Sequence, residues 1–134
     1  MSDFRKVTER LSVSPQISVE DVAGAAREGF GLIINNRPDG EAPGQPTSAE
    51  ISAAADAAGV AYLYVPVVGA PTLAQAQAVK AALDEAGGRA LAFCRSGTRS
   101  INTWALGEAA AGAASDELIA AGANAGYDLR PLLG

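Results

Sequence analysis

The part of the chain best suited to chemistry is the loop over residues 94 to 100. Its seven residues are Cys94, Arg95, Ser96, Gly97, Thr98, Arg99 and Ser100. A cysteine thiolate is a strong nucleophile when nearby positive charge stabilises it, and arginines and loop N–H groups before a helix supply such charge. We therefore predict an anion-binding loop with Cys94 as its nucleophile.

The other residues of this loop fit the same interpretation. The predicted anion-binding residues are Arg95, Ser96, Gly97, Thr98 and Arg99. Gly97 allows the backbone to turn with a positive φ and to approach a ligand, and the hydroxyls of Thr98 and Ser100 can bond the thiolate or hold the loop. The alternative is that Cys94 is a core residue, because free cysteine is among the most buried residue types. Two arginines, a glycine and several hydroxyls in so short a stretch favour the functional interpretation.

The rest of the composition limits which chemistry is possible. The chain has no histidine and one cysteine. These counts exclude Ser-His-Asp triads, Cys–His pairs, imidazole metal ligands, an internal disulfide and a site of several cysteines. We expect no metal and no cofactor, so a reactive Cys94 must depend on arginines and backbone dipoles.

Length and charge suggest a small protein that works on small molecules. The 134 residues fit one domain, residues 1 to 134, with residues 1 to 9 as a flexible N-terminal segment. The net charge of -5 provides no basic field for nucleic acid or anionic lipid, and no apolar run reaches the roughly 20 residues of a membrane span. We expect a cytoplasmic protein with a small anionic substrate and neither a nucleic acid nor a membrane partner.

Apolar runs bounded by Gly or Pro predict buried strands at residues 30 to 34, 60 to 68 and 89 to 94, and a shorter run predicts a fourth at residues 10 to 13. Helix-like stretches lie between them. This alternation predicts a single α/β domain, with a mostly parallel sheet of about four strands flanked by helices. Residues 36 to 46, rich in Pro and Gly, are the one long loop.

The helices have recognisable start signals. Capping boxes are predicted for the pairs Ser18 and Asp21, Thr47 and Glu50, and Thr72 and Gln75. The third helix is expected to bury Leu73, Val79 and Leu83. A fourth helix should begin at about Ser100 and place Trp104 in the core, and a fifth should begin at Ser115.

Four segments carry a resemblance to a known family. They are Ser14-Pro15-Gln16, residues 33 to 41 (Ile-Ile-Asn-Asn-Arg-Pro-Asp-Gly-Glu), Tyr64-Val65-Pro66-Val67 and residues 93 to 100. Together, over residues 10 to 130, the chain resembles the beta-lactamase-hydrolase-like family of phosphatase-like domains, a branch of the protein-tyrosine-phosphatase-like fold. The resemblance implies that Cys94 is the nucleophile, that Arg99 clamps the anion and that the Ser100 hydroxyl stabilises the departing thiolate.

Two features depart from the phosphatase pattern. Tyrosine phosphatases have Cys-x5-Arg, whereas Cys94 and Arg99 form Cys-x4-Arg, which shortens the loop by up to about 3.5 Å of chain. The general acid of that fold is an Asp after the strand equivalent to residues 62 to 67, but residues 68 to 72 (Val-Gly-Ala-Pro-Thr) contain no carboxylate. Asp39 is the candidate substitute acid, although Pro38-Asp39-Gly40 is also an ordinary turn sequence.

The short loop is similar to that of rhodanese-like sulfurtransferases, in which a cysteine carries sulfur as a persulfide. Loop length and the missing acid narrowly favour sulfur transfer through Cys94, with phosphomonoester hydrolysis through a phosphocysteine as the alternative. A non-catalytic module that binds an anion or a partner is the second alternative. Relatives joined to metallo-β-lactamase-fold hydrolases and sulfide-oxidising flavoproteins imply a redox or metallo-hydrolase protein as a possible partner.

Overall fold

The computed structural model describes residues 3–134, in which strands and helices alternate. The elements are β1 (Arg5–Lys6), β2 (Leu11–Ser14), α1 (Val19–Arg27), β3 (Phe30–Asn35), α2 (Ser48–Ala58), β4 (Ala61–Tyr64), α3 (Leu73–Ala86), β5 (Arg89–Phe93), α4 (Thr98–Ala110), α5 (Ser115–Asn124) and α6 (Arg130–Leu133).

The strands form one sheet in the order β1-β2-β5-β3-β4, and every neighbouring pair is parallel except β1 with β2. The α/β class and the mostly parallel sheet are as predicted, but the sheet has five strands rather than about four. The additional strand comes from the segment expected to be flexible, where Arg5 pairs with Val13 and Lys6 with Ser12. The first two residues of that segment lie outside the described residues.

The central strand β5 packs helices on both of its faces. Leu91 and Phe93 belong to the core beneath α1 and α2, whereas Ala90 and Ala92 face α3, α4 and α5. This alternation follows from the two-residue period of a strand, and it leaves β5 buried on both sides. Trp104 is 7% exposed and packs in the core between the sheet and helices α3, α4 and α5, and its burial is as predicted.

Local signals set the starts of the first three helices. Complete capping boxes are present at the predicted pairs, Ser18 with Asp21, Thr47 with Glu50 and Thr72 with Gln75. In each box two N–H groups that the helix leaves unpaired are satisfied by side chains of the same segment. These predictions are confirmed because the signal and its effect are both local.

Three expectations need correction. Strand β4 ends at Tyr64, and α4 begins two residues earlier than expected, at Thr98. Leu73 is 51% exposed instead of buried, because it is the first residue of α3 and the buried face of that helix begins at Ala76. Among residues 3–134, no helix has both the length and the apolar character needed to cross a membrane.

Candidate active site

Cys94 directly follows β5, at the carboxyl end of the central strand, which is the edge at which parallel α/β sheets bind ligands. Its side chain is buried, with 0% exposure, and its Sγ accepts the N–H of Gly97 at 3.1 Å. The loop therefore turns back on the sulfur and places a backbone dipole against it.

The loop leads into α4 without the side-chain cap seen in α1, α2 and α3. Gly97 is the N-cap residue, with φ of 93°, and the first turn contains Thr98, Arg99 and Ser100. The N–H of Thr98 has only a long bond, 3.4 Å, to the Ser96 hydroxyl. The positive end of the helix dipole is thus directed at the loop, where it favours a thiolate or a bound anion.

Tyr127 supports the loop from outside. It follows α5, and its hydroxyl donates to the Ser96 carbonyl oxygen at 2.8 Å. A Cβ at residue 97 would overlap this hydroxyl, so close packing as well as the positive φ requires glycine there. The guanidinium of Arg5 lies 5.3 Å from the centre of the Tyr127 ring, which connects the N-terminal segment to the same support.

Arg99 is held by three hydrogen bonds. Its Nη1 donates to Oε2 of Glu41 and to the Val67 carbonyl oxygen, and its Nη2 donates to Oε1 of Glu41, each at 2.8 Å. Hydrogen bonding to Glu41 raises the pKa of Arg99, and the sulfur of Cys94 is close enough to add to this rise. The guanidinium is therefore paired with Glu41 and lies near enough to Cys94 to feel its charge.

Glu41 is itself held by a second arginine. Arg37, whose side chain is only 7% exposed, donates from Nε to Oε1 of Glu41 at 3.0 Å and from Nη1 to Oε1 of Gln16 at 3.0 Å. The hydrogen bonds from Arg99 and Arg37 lower the pKa of Glu41 to about 2. Glu41 is therefore ionised at any ordinary working pH.

A cavity of about 460 Å³ opens beside the loop. Its lining residues are Arg37, Glu41, Ala42, Pro43, Arg95 and Arg99. Three arginines against one carboxylate make this cavity cationic in a chain with a net charge of -5, so it suits an anion. Cys94 is fully buried and does not line the cavity.

Arg95 and Ser100 are placed differently within the loop. Arg95 is exposed at the cavity rim, and its side chain has no hydrogen-bond or ion-pair partner among residues 3–134, although its carbonyl oxygen accepts the Gln16 N–H at 3.2 Å. Ser100 is 1% exposed, and its Oγ is a buried atom without a hydrogen-bond partner. Leaving a buried polar atom without a partner costs about 1–3 kcal/mol of stability, so a group that bonds the Ser100 hydroxyl in another state of the site would recover this free energy.

Within the described part of the chain, no group of three or more Cys, Asp or Glu is placed to hold a metal ion.

Asp39 lies at the same sheet edge, but its carboxylate already has a structural partner. Its Oδ1 accepts the N–H of Ser48, the first residue of α2, at 2.8 Å, and its own N–H donates to the Tyr64 hydroxyl at 3.0 Å. The contacts of Asp39 are therefore those of a turn residue that stabilises the start of a helix.

Sequence reasoning missed the roles of Glu41, Tyr127 and Gln16. Glu41 lies 58 residues from Arg99, and Tyr127 lies 31 residues from Ser96. Contacts over such separations leave no local pattern. The only available signal was that Glu41 and Gln16 stand inside the segments that carried the family resemblance.

The chain is similar to known proteins over most of its length. A beta-lactamase hydrolase-like protein from Xylella fastidiosa is 42% identical over 125 residues, which are 92% of this chain but 29% of that protein. The chain thus spans less than a third of the length of this curated relative.

Solved structures are similar over most of the chain. A protein from Neisseria meningitidis Z2491, provisionally described as a phosphatase, has a TM-score of 0.86 at 32% identity and covers 99% of this chain and 95% of its own. A provisional phosphatase from Shewanella putrefaciens CN-32, with a TM-score of 0.72 at 18% identity, covers 90% of this chain and 78% of its own and shows the fold alone.

The family profile described as "Beta-lactamase hydrolase-like protein, phosphatase-like domain" matches residues 3–111. This range contains Cys94, Arg99, Glu41 and the whole sheet, and it excludes Tyr127. The chain belongs to the family of phosphatase-like domains of beta-lactamase hydrolase-like proteins.

Proposed function

We propose that this domain hydrolyses phosphate monoesters through a covalent intermediate on Cys94. The observation that carries the proposal is the placement of Cys94 at the end of the central strand, with the Gly97 N–H on its sulfur and Arg99 beside it. Membership of a phosphatase-like family supports this choice over the sulfur transfer that the loop length predicts.

In the first step the Cys94 thiolate attacks phosphorus, so that an S–P bond forms while the bond to the leaving oxygen breaks. Loop N–H groups and Arg99 stabilise the charge on the remaining phosphoryl oxygens. Water then attacks phosphorus and releases inorganic phosphate, and the electron pair of the S–P bond returns to Cys94. The unpartnered Ser100 hydroxyl is suited to bond this departing thiolate. Because the sulfur is buried, the residues that cover it must move as the anion enters.

The proposed reaction has no evident proton donor. Glu41 is the only carboxylate among the described residues that line the cavity, and with a pKa of about 2 it holds no proton at neutral pH. The Asp39 carboxylate is engaged at the start of α2. General acid catalysis typically contributes 10²–10⁴-fold, so turnover should depend steeply on the leaving-group pKa. The best substrates are aryl phosphates with acidic phenols, and alkyl phosphates should react slowest.

Sulfur transfer is the second candidate, and the missing acid together with the Cys-x4-Arg spacing favours it. With thiosulfate, the Cys94 thiolate would attack the outer sulfur, the S–S bond would break, and sulfite would leave with the electron pair. A thiol acceptor would then attack the persulfide and regenerate Cys94. Sulfite needs little protonation to leave, so this route does not require a general acid.

Intact-mass measurement after separate incubation with an aryl phosphate and with thiosulfate distinguishes these reactions. A phosphate adduct on Cys94, absent from Cys94→Ser, supports the phosphatase proposal. A persulfide alone overturns it in favour of sulfur transfer. Neither adduct, together with a thiol that alkylates no faster than free cysteine, indicates a non-catalytic binding module.

A further inference from the structure

The peptide unit between Ser96 and Gly97 has both of its polar groups engaged. On one side the Gly97 N–H donates to the Cys94 Sγ at 3.1 Å, and on the other the Ser96 carbonyl oxygen accepts the Tyr127 hydroxyl at 2.8 Å. The peptide bond is trans, so its C=O and N–H point in opposite directions within one plane. A donor that holds the carbonyl oxygen therefore also determines where the N–H points.

The preceding peptide unit is held in the same way. The Arg95 carbonyl oxygen accepts the Gln16 N–H at 3.2 Å, so two consecutive carbonyl groups of the loop are bound by donors from outside it. The N–H groups of the same two units, those of Ser96 and Gly97, are turned away from these donors. Successive N–H groups in a turn form a concavity that binds anions. Of the two external donors, only the Tyr127 hydroxyl can be removed by a side-chain substitution.

Without Tyr127, the unit between Ser96 and Gly97 would rotate easily. Gly97 has φ of 93°, and glycine adopts many backbone conformations at little cost. Rotation would move the N–H away from the sulfur and turn the negative end of the peptide dipole toward it, which disfavours a thiolate. The Tyr127 hydroxyl opposes this rotation. It also strengthens the N–H as a donor, because hydrogen bonds in a chain polarise one another.

Tyr127 is itself fixed by the end of α5. Gly126 has φ of 93° and donates its N–H to the Ala123 carbonyl oxygen at 3.0 Å, and the Tyr127 N–H donates to the Gly122 carbonyl oxygen at 2.9 Å. These two bonds form a Schellman motif, which sets the direction in which the chain leaves the helix. The Arg5 guanidinium covers the ring. Burial raises the pKa of Tyr127 above its ordinary value near 10, so the hydroxyl remains a donor at neutral pH.

We infer that Tyr127 is a positioning residue, which acts through the Ser96 carbonyl to keep the Gly97 N–H directed at the Cys94 sulfur and so favours the thiolate. The inference rests on the proposed function only in that Cys94 reacts as a thiolate. Tyr127 lies beyond residues 3–111, which match the family profile, so that match assigns it no role.

The test measures the rate at which iodoacetamide alkylates Cys94 in Tyr127→Phe between pH 5 and pH 10. Cys94 is the single cysteine of the chain, so intact mass reports this one site. Only the thiolate reacts, so the shape of the pH profile reports the thiolate fraction, whereas the plateau at high pH reports access to the buried sulfur. At pH 6, the rate relative to each protein's own plateau should fall about fivefold in Tyr127→Phe, as expected for the loss of one neutral hydrogen bond.

The matched control is Tyr64→Phe. It removes a hydroxyl at the same sheet edge, one that accepts the Asp39 N–H and makes no hydrogen bond to the cysteine loop, so the pH profile should not change. The charges of Arg99 and Glu41 stay constant over this pH range, because the pKa of Arg99 is raised and that of Glu41 is about 2. Both variants keep their aromatic rings, and thermal unfolding checks that both are folded.

A second readout is protection of Cys94 from iodoacetamide by inorganic phosphate. Tyr127→Phe should weaken this protection about fivefold, because the N–H groups that favour the thiolate also bind the anion. Tyr64→Phe should leave it unchanged.

An unchanged pH profile in Tyr127→Phe would overturn the inference, and so would a change confined to the plateau, which reports access alone. An equal shift in Tyr64→Phe would overturn it as well, because it would show a general loosening of this sheet edge. If the profile shifts only in Tyr127→Phe but the unaltered protein hydrolyses no aryl phosphate, the positioning role stands and the proposed phosphatase function fails.

Discussion

The loops after β3 and β4 are built differently, although both contribute a hydrogen-bond partner to Arg99 at the same edge of the sheet. Residues 36 to 46, after β3, present Arg37, Asp39 and Glu41, and all three are engaged in hydrogen bonds. The segment after β4 gives Arg99 only a backbone carbonyl, that of Val67. Val67 itself is buried, whereas Val68 is 80% exposed and Leu73, at the start of α3, is 51% exposed.

This difference matters for the proposed function. The loop after β3 supplies a fixed carboxylate that binds Arg99, and the segment at residues 65 to 72 contains no carboxylate that could donate a proton. If the domain hydrolyses phosphate monoesters, the site should stabilise negative charge at Cys94, and the rate should depend on the acidity of the leaving group. The largest effect is expected when the nucleophile itself is replaced.

Cys94→Ser should abolish turnover of both aryl phosphate and thiosulfate. A serine hydroxyl keeps nearly the same volume and can still accept the Gly97 N–H, but no thiolate is available to attack. The check is steady-state kinetics with circular dichroism and thermal unfolding as controls for the fold. Full activity in this variant would remove Cys94 from the mechanism.

Arg99→Lys should lower kcat/KM by about 10²-fold, because an ammonium group keeps the charge but lacks the planar fork that can bind Glu41 and an anion on separate edges. The same substitution at the exposed Arg95 should cost much less, since no partner holds that side chain. Equal losses at the two positions would show that the cavity needs only net positive charge.

The ion pairs of Glu41 should make stability depend on pH. Its pKa is lowered to about 2 in the folded protein from an ordinary value near 4.5. Its contribution is therefore fully present above about pH 4.5 and is lost as the pH falls toward 2. Urea unfolding at pH 7 and pH 3 should show a smaller acid loss in Glu41→Gln than in the unaltered protein. An identical acid loss would show that the pairs do not stabilise the fold.

Asp39→Asn should have the smallest effect on turnover, within about twofold for aryl phosphates, because the carboxylate is used at the start of α2. Replacing it weakens a charge-assisted bond at a helix N-terminus, so the free energy of unfolding should fall by about 0.5–1 kcal/mol. The measurement compares phosphopeptide and aryl phosphate hydrolysis. Efficient phosphopeptide hydrolysis that collapses in this variant would identify Asp39 as the missing acid and would contradict the comparison of the two loops.

The sequence by itself determined the features that arise from neighbouring residues. The three capping boxes, the buried strand that leads to Cys94, and the turn at Gly97 follow from patterns a few residues long, because each signal acts on its own segment. The resemblance to a phosphatase-like family rested on four such segments, and the family match agrees with it.

Tertiary structure alone decided which of these groups meet. The side chain of Asp39 has the same chemistry whether it donates a proton or holds a helix start, and only its position next to Ser48 selects the second role. Glu41 reaches Arg99 across 58 residues because β3 and β5 are neighbours in the sheet, and Leu73 is exposed because the packing of α3 buries Ala76, Val79 and Leu83 instead. Hydrogen bonds and burial depend on distances in space, and a linear pattern contains those distances only where the partners are close along the chain.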